Sequence, residues 1–531
     1  MLLALSYAVV IVSLPLATSV FYAHPRPPVD ASATHTTTSR APVRAAPVRT
    51  TSTPSTVPLG PGQARWVIDE NARPGTSAWR LAPATRPGTI EGFADHVSAV
   101  AGERVGLFVS TTEPAFRVEA YRMGFYQGLG ARQVWSSGPI PGVEQARPRR
   151  DRATNMVEAP WSKSVDIDVD GSWPPGDYLL KLVADDVAQR YVPLTIRDDS
   201  STAALVVQNE VTTWQAYDQW GGYSLYAGGS GPGAFERRAR VVSFDRPYAR
   251  GDGASDFIGL ELPLVAMAES LGLDVTYWTD VDLHARPELL TRHRALLTLG
   301  HDEYWSRAMR DGAENARDHG VNLAFLGANA VFRQIRLESS PLGPNRHEVA
   351  YKSATADPLR RTNPAEVTVN WREAPVSRPE SSLIGQQYEC NPVRADMVIA
   401  DAAAWVFAGT GLKTGDKLFG TIGEEYDRYN PYDPGPKNVQ LLAHSPVRCG
   451  GRSSFADMTY YSAPSGAGVF ASGTIWWVTK LVPECAPGTC PHDPAVIQIT
   501  RNLLAAFAAG PAGLTHPSVA NYDAVRRGVR E

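Results

Sequence analysis

The sequence predicts two folded parts, an all-β sandwich followed by a three-layer α/β domain. With 531 residues, the chain is too long for one ordinary core. Residues 64–197 carry short alternating strands separated by turns, a pattern typical of sandwiches. From residue 203 onward, strands alternate with helical patterns, which is the order that builds a mostly parallel sheet covered by helices.

Two further segments precede these parts. Residues 1–23 are almost wholly apolar and predict a signal peptide or a membrane anchor. No Lys or Arg precedes the apolar run, and its length just spans a bilayer, so cleavage and anchoring both stay open. Residues 24–62 are rich in Pro, Thr, Ser and Ala and have too few large apolar residues to fold, which predicts a disordered stalk. We therefore expect an extracellular protein or one anchored in a membrane and facing outward.

The predicted sandwich covers residues 63–200. The turn Trp173–Tyr178 enters a strand in a manner common in immunoglobulin-like modules, so we expect an immunoglobulin-like sandwich. Tyr121–Gly130 is rich in aromatic residues and glycine, and it forms either a surface that faces the next domain or a packed hairpin. The predicted strands are 90–94, 104–110, 116–122, 164–169 and 178–183.

The predicted α/β domain covers residues 201–531. Its closing helix is expected near Ile497–Ala508, and the region 366–478 reads as an elaboration with strand signals at 366–371 and 474–478. The strands and helices of the repeating part are predicted at 204–208 (strand), 257–272 (helix), 274–278 (strand), 295–299 (strand), 306–316 (helix, with Ser306 as its N-cap) and 321–330 (strand).

All four cysteines lie in the last third of the chain. An even number of cysteines behind an export segment favours disulfides over free thiols. Cys485 and Cys490 enclose a short Pro/Gly loop and are expected to pair with each other, which leaves Cys390 with Cys449. A metal site is the alternative, although the two distant cysteines lack CxxC spacing.

Composition and motifs exclude several classes of function. The formal net charge is -4 and no basic block is present, which argues against nucleic acid as a partner. The sequence has neither a Walker loop nor a Gly-x-Gly-x-x-Gly after a strand, so nucleotide use is not expected. It also lacks a Gly-x-Ser-x-Gly elbow and a cysteine after a strand of the α/β part, which argues against serine or cysteine nucleophiles.

Titratable and polar residues follow two consecutive predicted strands. His301, Asp302 and Glu303 come directly after the strand at 295–299, and Asn329 follows the next strand. Because parallel strands end at one edge of a sheet, we expect these side chains in one crevice. The alternative is a cluster that only caps the following helix and complements its dipole.

A loop rich in aromatic residues follows the first strand of the same sheet. Gln208–Tyr226 contains three tyrosines, two tryptophans and a Gly-Gly pair, which are costly to expose. We expect the loop to line a pocket or an interface at the same sheet edge, with ordinary packing as the alternative.

Four strings of residues carry a resemblance to a known family: Thr213–Tyr226, Ser243–Tyr248, Gly300–Trp305 and Gly327–Asn329. They resemble the C-terminal domain of the N,N-dimethylformamidase large (beta) subunit, and the likeness covers about residues 203–508. The resemblance implies a fold like that of the class I glutamine amidotransferases. It also implies one ferric ion per chain, Fe(III), bound by two tyrosine phenolates and one glutamate.

The resemblance places the glutamate ligand on Glu303. For the tyrosine ligands we predict Tyr217 and Tyr226, with Tyr223 and Tyr248 as rivals. A hard acid such as Fe(III) suits anionic oxygen ligands, and a bound cation favours ionised phenols.

The remaining site residues receive roles in amide hydrolysis. His301 would move a proton from water to the departing amine, and Asn329 would orient the amide or donate to its oxyanion. Asp302 would hold His301 or cap the following helix. The acidic and aromatic run 423–429 either rims the pocket or forms a solvated loop.

The sequence thus predicts an exported or membrane-tethered hydrolase of C–N bonds in non-peptide amides, with a small-molecule amide as its substrate. No small partner subunit is identifiable in this chain, a homo-oligomer stays open, and residues 2–23 would supply the tether. The rival hypothesis is a surface protein that binds a carbohydrate or cell-wall ligand and whose hydrolase site has decayed.

Overall fold

The computed structural model describes residues 58–482 and 492–528, except residues 84, 87, 186, 230 and 232. The predicted signal or anchor, most of the predicted stalk, and Cys485 and Cys490 lie outside the described residues. Among the helices of the described part, none is long and apolar enough to cross a membrane.

Residues 65–196 form one helix followed by short strands in two main sheets. The elements are α1 Arg65–Asn71, β1 Ile90–Ala94, β2 Ser98–Ala99, β3 Arg104–Thr111, β4 Ala115–Met123, β5 Ala131–Ser136, β6 Ile140–Pro141, β7 Arg149–Arg150, β8 Val157–Glu158, β9 Val165–Asp168, β10 Gly176–Val183 and β11 Gln189–Ile196. One sheet has the order β1-β3-β9, and the other has the order β2-β11-β10-β4-β5, with β6 pairing with β4.

The two main sheets of this β-rich part share one apolar core. Leu107 of β3, Val118 of β4, Leu180 of β10 and Leu194 of β11 belong to the same buried cluster. Alternate residues of these strands therefore point to a common interior, as strand periodicity requires. The immunoglobulin-like assignment stays a prediction.

The remainder of the described chain interleaves strands and helices. Its strands are β12 Leu205–Asn209, β13 Val241–Ser243, β14 Val275–Thr279, β15 Ala295–Gly300, β16 Tyr304–Ser306, β17 Asn322–Gly327, β18 Arg333–Ser340, β19 Gly343–Val349, β20 Gln387–Cys390, β21 Ala395–Val398, β22 Lys417–Ile422, β23 Tyr426–Arg428, β24 Gln440–Cys449, β25 Arg452–Ser462 and β26 Gly468–Ala471. Its helices are α2 Val211–Tyr217, α3 Phe257–Leu260, α4 Leu262–Ser270, α5 Asp280–Ala285, α6 Arg307–Asp318, α7 Ser381–Ile384, α8 Pro494–Ala509, α9 Ala512–Thr515 and α10 Tyr522–Gly528.

The largest sheet among the described strands has the order β14-β12-β15-β17-β26-β25-β24. The first five strands are parallel to one another, and β25 and β24 are antiparallel to their neighbours. A second sheet has the order β13-β19-β18-β16, and its strand β16 begins four residues after the end of β15. The parallel strands are buried on both faces, which explains why β15 reads as an unbroken apolar run.

Helices cover both faces of the large sheet. Leu297 of β15 shares a buried cluster with residues of α4 and α8, whereas its neighbour Leu296 shares another with residues of α5 and α6. Helix α6 begins as the sequence predicts, because the Ser306 hydroxyl accepts a hydrogen bond from the Met309 N–H at 3.3 Å. The likeness to class I glutamine amidotransferases stays a prediction.

Four local predictions differ from the structure. The strand signal at 366–371 does not correspond to a strand, because Glu366 ends a 3-10 helix and Asn370 forms only an isolated bridge with Arg333. The helix expected over 257–272 is divided into α3 and α4 at Glu261, where Pro263 cannot donate a backbone hydrogen bond. The stretch 211–217, expected in a loop, forms α2. The strand signal at 474–478 belongs to a 3-10 helix, Ile475–Leu481, because its apolar residues pack on one side, against α8 and the sheet.

Cys390 and Cys449 form a disulfide with a Cα–Cα distance of 6.3 Å. This pairing is confirmed, and the metal-site alternative is wrong for these two cysteines. The disulfide connects the end of β20 to the end of β24, which is the outer strand of the large sheet.

Candidate active site

The candidate site lies at the carboxyl ends of two adjacent strands. Strands β15 and β17 are parallel neighbours, and Gly300 pairs with Gly327 in their register. A Cβ atom on Gly327 would lie 2.0 Å from the Gly300 carbonyl oxygen, so the close approach requires glycine. The segments that follow, which carry Glu303 and Asn329, therefore leave the sheet side by side.

Two tyrosines and one glutamate come together at these strand ends. The Tyr217 hydroxyl donates to Glu303 Oε2 at 2.8 Å, and the Tyr226 hydroxyl donates to Glu303 Oε1 at 2.6 Å. The two tyrosine rings stack with centroids 4.4 Å apart. Each phenol thus donates a hydrogen bond to a different oxygen of the same buried carboxylate.

Local structure explains how Tyr217 reaches Glu303. Tyr217 ends α2, the helix that follows β12, so it lies at the same sheet edge as the end of β15. The Thr213 hydroxyl on the same helix accepts a hydrogen bond from the Glu303 backbone N–H at 3.0 Å. The two rival tyrosines face other residues, since the Tyr223 hydroxyl bonds to Arg150 and the Tyr248 ring packs edge-on against Trp214.

The electrostatics of the three groups are set by burial and by neighbouring charge. Burial and the nearby Glu303 carboxylate raise the pKa of both Tyr217 and Tyr226 well above 10. Burial also penalises the Glu303 carboxylate, but its interactions with His301, Arg333, Lys352 and the Tyr226 hydroxyl outweigh this effect and lower the Glu303 pKa below its usual value. Without a cation between them, the two phenols therefore remain neutral donors to an ionised Glu303.

Two basic residues lie next to the glutamate and the tyrosines. The Arg333 Nε lies 3.4 Å from Glu303 Oε1. The Lys352 Nζ lies 3.3 Å from the centroid of the Tyr226 ring and has no hydrogen-bond partner among the described residues. Burial and the charge of Arg333 hold the Lys352 pKa well below its usual value. Nothing in the sequence marks these two residues, because they come from β18 and from a loop after β19.

His301 lies between the glutamate and a second polar group. Its Nε2 is 3.4 Å from Glu303 Oε2, 3.4 Å from Asn329 Nδ2 and 3.6 Å from Glu425 Oε2. The backbone N–H of Asn329 donates to Asp427 at 2.7 Å, which fixes the turn that carries the Asn329 side chain. The structure thus brings together His301, Glu303 and Asn329, as the strand-end argument predicts.

Glu425 belongs to the run 423–429, for which the sequence left a pocket rim and a solvated loop as alternatives. The structure places this residue beside His301, with 6% of its surface exposed. Burial raises the Glu425 pKa, and the proximity of His301 offsets only part of that rise. Glu425 is thus a buried neighbour of His301 in the candidate site rather than part of a solvated loop.

The Asp302 side chain has different hydrogen-bond partners from those of its neighbours His301 and Glu303. Its side chain accepts hydrogen bonds from Gln208 Nε2 at 2.8 Å and from Trp305 Nε1 at 2.7 Å. It does not cap α6, since Ser306 does. Burial raises the Asp302 pKa to about 7. Asp302 therefore holds the segment after β15 in place through Gln208 and Trp305 and does not form a hydrogen bond to the His301 ring.

The Tyr217, Tyr226 and Glu303 side chains fit a trivalent hard cation. Each phenol oxygen already lies within hydrogen-bond distance of a Glu303 oxygen, and all three side chains can be anionic. Two phenolates and one carboxylate would carry three negative charges, which matches the charge of Fe(III).

Another group of residues of metal-ligating type lies elsewhere in the described chain. Ligand atoms of Glu158, Asp245 and His347 lie within 4.8 Å of one another. Both carboxylates already form ion pairs, Glu158 with Arg149 at 3.2 Å and Asp245 with Arg346 at 2.7 Å. The neighbouring guanidinium groups therefore compete with any cation at this cluster.

Comparisons with known proteins agree with the motif resemblance. Residues 117–489 match the family described as N,N-dimethylformamidase beta subunit-like, C-terminal. The chain belongs to this family. The match includes every residue of the candidate site.

Two relatives are beta subunits of N,N-dimethylformamidase. The one from Paracoccus aminophilus is 24% identical over 345 residues, covering 56% of this chain and 43% of the relative. The one from Alcaligenes sp. is 25% identical over 332 residues, covering 54% of this chain and 42% of the relative. The chain thus spans less than half the length of the curated relatives it matches. A solved glucanotransferase from Paenibacillus sp. reaches only a TM-score of 0.13 over 22% of this chain and 15% of its own, which says nothing about the fold.

Proposed function

We propose that this protein is a formamidase-like hydrolase that cleaves the C–N bond of small non-peptide amides with one ferric ion per chain. The observation that carries the proposal is the convergence of the Tyr217 and Tyr226 hydroxyls on the two oxygens of the buried Glu303 carboxylate. Membership of the N,N-dimethylformamidase beta subunit-like family supports the choice of amide as substrate.

Tyr217, Tyr226 and Glu303 would hold the ion. When bound, Fe(III) would supply Lewis acidity to an amide carbonyl or to the attacking water. Glu303 is fully buried and the two tyrosines are partly buried, so bulk water is kept from the carboxylate and charge interactions with it are strengthened.

The chain's own polar groups would then guide the protons and the substrate. The His301 Nε2 lies 3.4 Å from Glu303 Oε2. It would accept a proton from water and pass it to the departing amine nitrogen. The Asn329 amide, 3.4 Å from the same Nε2, would donate to the amide oxygen as negative charge develops there. Glu425 would keep the imidazole oriented for this transfer.

The proposal includes an exported or membrane-tethered location, which rests on the apolar segment and the stalk composition of the sequence. The Cys390–Cys449 disulfide supports an oxidising compartment. Assembly with a further subunit is compatible with the names of the two relatives, which are beta subunits.

The test is the iron content and visible spectrum of the purified chain, followed by turnover of N,N-dimethylformamide. We expect about one iron per chain and a phenolate-to-iron absorption band, consistent with hard oxygen ligands. The variants Tyr217→Phe, Tyr226→Phe and Glu303→Gln should lose the iron and the band.

The matched control is Tyr223→Phe, which alters a tyrosine of the same loop that bonds to Arg150 instead of Glu303. This variant should keep the iron and the band. A colourless wild type without iron, or equal loss of colour in the control, would refute the iron site. Ligand binding that survives Glu303→Gln without amide turnover would favour the rival surface-binding function.

A further inference from the structure

A short arm of the chain, Cys390–Val393, runs beside the segment that carries Glu425. Cys390 ends β20 and lies opposite Tyr426 of β23 in the strand register. The Val393 backbone N–H donates to the Glu424 carbonyl at 2.9 Å. The arm and the Glu425 segment are therefore held together at two points on either side of Asn391.

The side chain of Asn391 reaches from this arm to Glu425. Its Nδ2 donates to Glu425 Oε1 at 2.6 Å. The other oxygen of the carboxylate, Oε2, has no hydrogen-bond partner in the described part of the chain and lies 3.6 Å from His301 Nε2. Because one oxygen is fixed, the carboxylate cannot rotate freely, and its second oxygen stays directed at the imidazole.

The Cys390–Cys449 disulfide fixes the arm from its other end. Cys449 ends β24, the outer strand of the large sheet, and Asn391 is the residue next to Cys390. The covalent bond therefore limits how far Asn391 can move from Glu425. Asn391 itself is exposed to solvent, so packing of its own side chain cannot supply this restraint.

We propose that Asn391 is a positioning residue that acts on His301 through Glu425, and that the Cys390–Cys449 disulfide holds Asn391 in place. The inference deepens the proposed function, on which its activity test rests. A carboxylate that contacts an imidazole sets the orientation of the ring, and the loss of such an outer partner typically lowers activity about 10- to 100-fold. Asn391 does not contact Glu303 or the two tyrosines, so its loss should leave iron binding intact.

The first experiment is a double-mutant cycle on turnover of N,N-dimethylformamide per bound iron. Asn391→Asp removes the donor, repels Glu425 and keeps the side-chain shape, and Glu425→Gln removes the carboxylate. Each single variant should lower kcat by about 10-fold or more with unchanged iron content. The variant carrying both changes should be no slower than Glu425→Gln alone, because Asn391 acts only through Glu425. Additive losses would overturn the proposal.

The matched control is Asn430→Asp. Asn430 Nδ2 donates to Asp433 Oδ1 at 3.0 Å, so the change removes a similar hydrogen bond that is not part of the site. It should leave turnover unchanged. A loss of turnover in this control equal to that in Asn391→Asp would overturn a specific role for Asn391.

The second experiment tests the disulfide. The double variant Cys390→Ser/Cys449→Ser should lose activity as Asn391→Asp does, and it should cause no further loss when it is combined with Glu425→Gln. Unchanged turnover without the disulfide would overturn its part of the proposal. If this variant does not fold, Asn391→Asp, which keeps the disulfide, still decides the role of Asn391.

Amide hydrogen exchange supplies a measurement that does not depend on activity. Exchange at residues 423–427 should rise in Asn391→Asp and not in Asn430→Asp. If the wild type turns over no amide, the proposed function fails, and this measurement alone decides whether Asn391 positions Glu425. Unchanged exchange in Asn391→Asp would then overturn the positioning role.

Discussion

Asp177 offers a quantitative test of how the β-rich part joins the large sheet. Its Oδ1 accepts hydrogen bonds from Asn209 Nδ2 at 2.5 Å and from Thr195 Oγ1 at 3.0 Å, and its Oδ2 has no partner among the described residues. Asn209 ends β12 of the large sheet, whereas Asp177 and Thr195 belong to β10 and β11. Burial raises the Asp177 pKa from 3.8 to about 7, although the two hydrogen bonds oppose this rise.

The sign of the effect on stability follows from the proton count. The folded protein keeps the Asp177 proton up to about pH 7, while the unfolded chain releases it near pH 4, so stability falls as the pH rises between these values. From pH 5 to pH 7 the loss is about 2 kcal/mol, since one pKa unit corresponds to about 1.4 kcal/mol and the transition is partly complete at pH 7. Asp177→Asn carries a neutral amide at every pH and escapes this loss.

The assay is thermal unfolding of the wild type and Asp177→Asn at both pH values. An unfolding entropy of about 1 kcal/mol/K, expected for the roughly 460 residues that the structure describes, converts 2 kcal/mol into about 2 °C. The melting temperature of Asp177→Asn minus that of the wild type should therefore rise by about 2 °C from pH 5 to pH 7. A difference that stays constant or falls would refute the assignment of a raised pKa to Asp177.

Asp357 serves as a control of opposite sign. Hydrogen bonds from Arg336 and from the Thr368 and Leu359 backbone outweigh its burial and lower the Asp357 pKa. A lowered pKa contributes stability above the unfolded value near pH 4, and this contribution is lost as the pH falls. The wild type should therefore exceed Asp357→Asn in melting temperature by more at pH 7 than at pH 3.

Further predictions concern the buried ion pair, the remaining cysteines and the N-terminus. Glu269→Ala should lower the free energy of unfolding by about 3–5 kcal/mol in thermal unfolding, because it leaves the fully buried Arg122 guanidinium without its carboxylate. The control is Asp168→Ala, which removes the exposed ion pair with Arg104. This change should lower the free energy of unfolding by less than about 1 kcal/mol. Non-reducing peptide mapping should recover Cys485 and Cys490 in one disulfide, and two free thiols would contradict that pairing. Intact mass of the protein made by an exporting host should lack the apolar N-terminal segment if it is a cleaved signal and retain it if it is an anchor.

The part of the candidate site that follows β15 and β17 could largely be predicted from the sequence. The apolar run of β15 followed by His301, Asp302 and Glu303, and the similar run of β17 followed by Asn329, placed these side chains at one sheet edge. Parallel pairing of Gly300 with Gly327 is the physical reason that this inference holds. The role of Asp302 could not be predicted, because a one-residue shift along an irregular segment decides whether a side chain faces the site or the core.

Other parts of the fold depend on tertiary contacts that local patterns do not contain. Helix α2 forms in a stretch of β-branched and aromatic residues with low helix propensity. Its Thr212 bonds to Asp280 and to the Tyr304 carbonyl, and its Trp214 donates to Glu261. These partners are far away in the sequence, so a window of neighbouring residues cannot reveal the helix.

The same argument explains which site residues the sequence analysis missed. Glu303 and two phenols in one buried place require positive charge nearby, because an unpaired buried carboxylate is strongly destabilising. The chain contains 51 Lys and Arg residues, and no motif distinguishes the one that pairs with Glu303. The structure selects Arg333, whose guanidinium bonds to Glu303 and to Asn370. It also places Lys352 on the face of the Tyr226 ring, where burial and the charge of Arg333 hold the Lys352 pKa well below its usual value. A site predicted from acidic ligands alone therefore lacks the basic residue that compensates their charge, and only the tertiary structure identifies that residue.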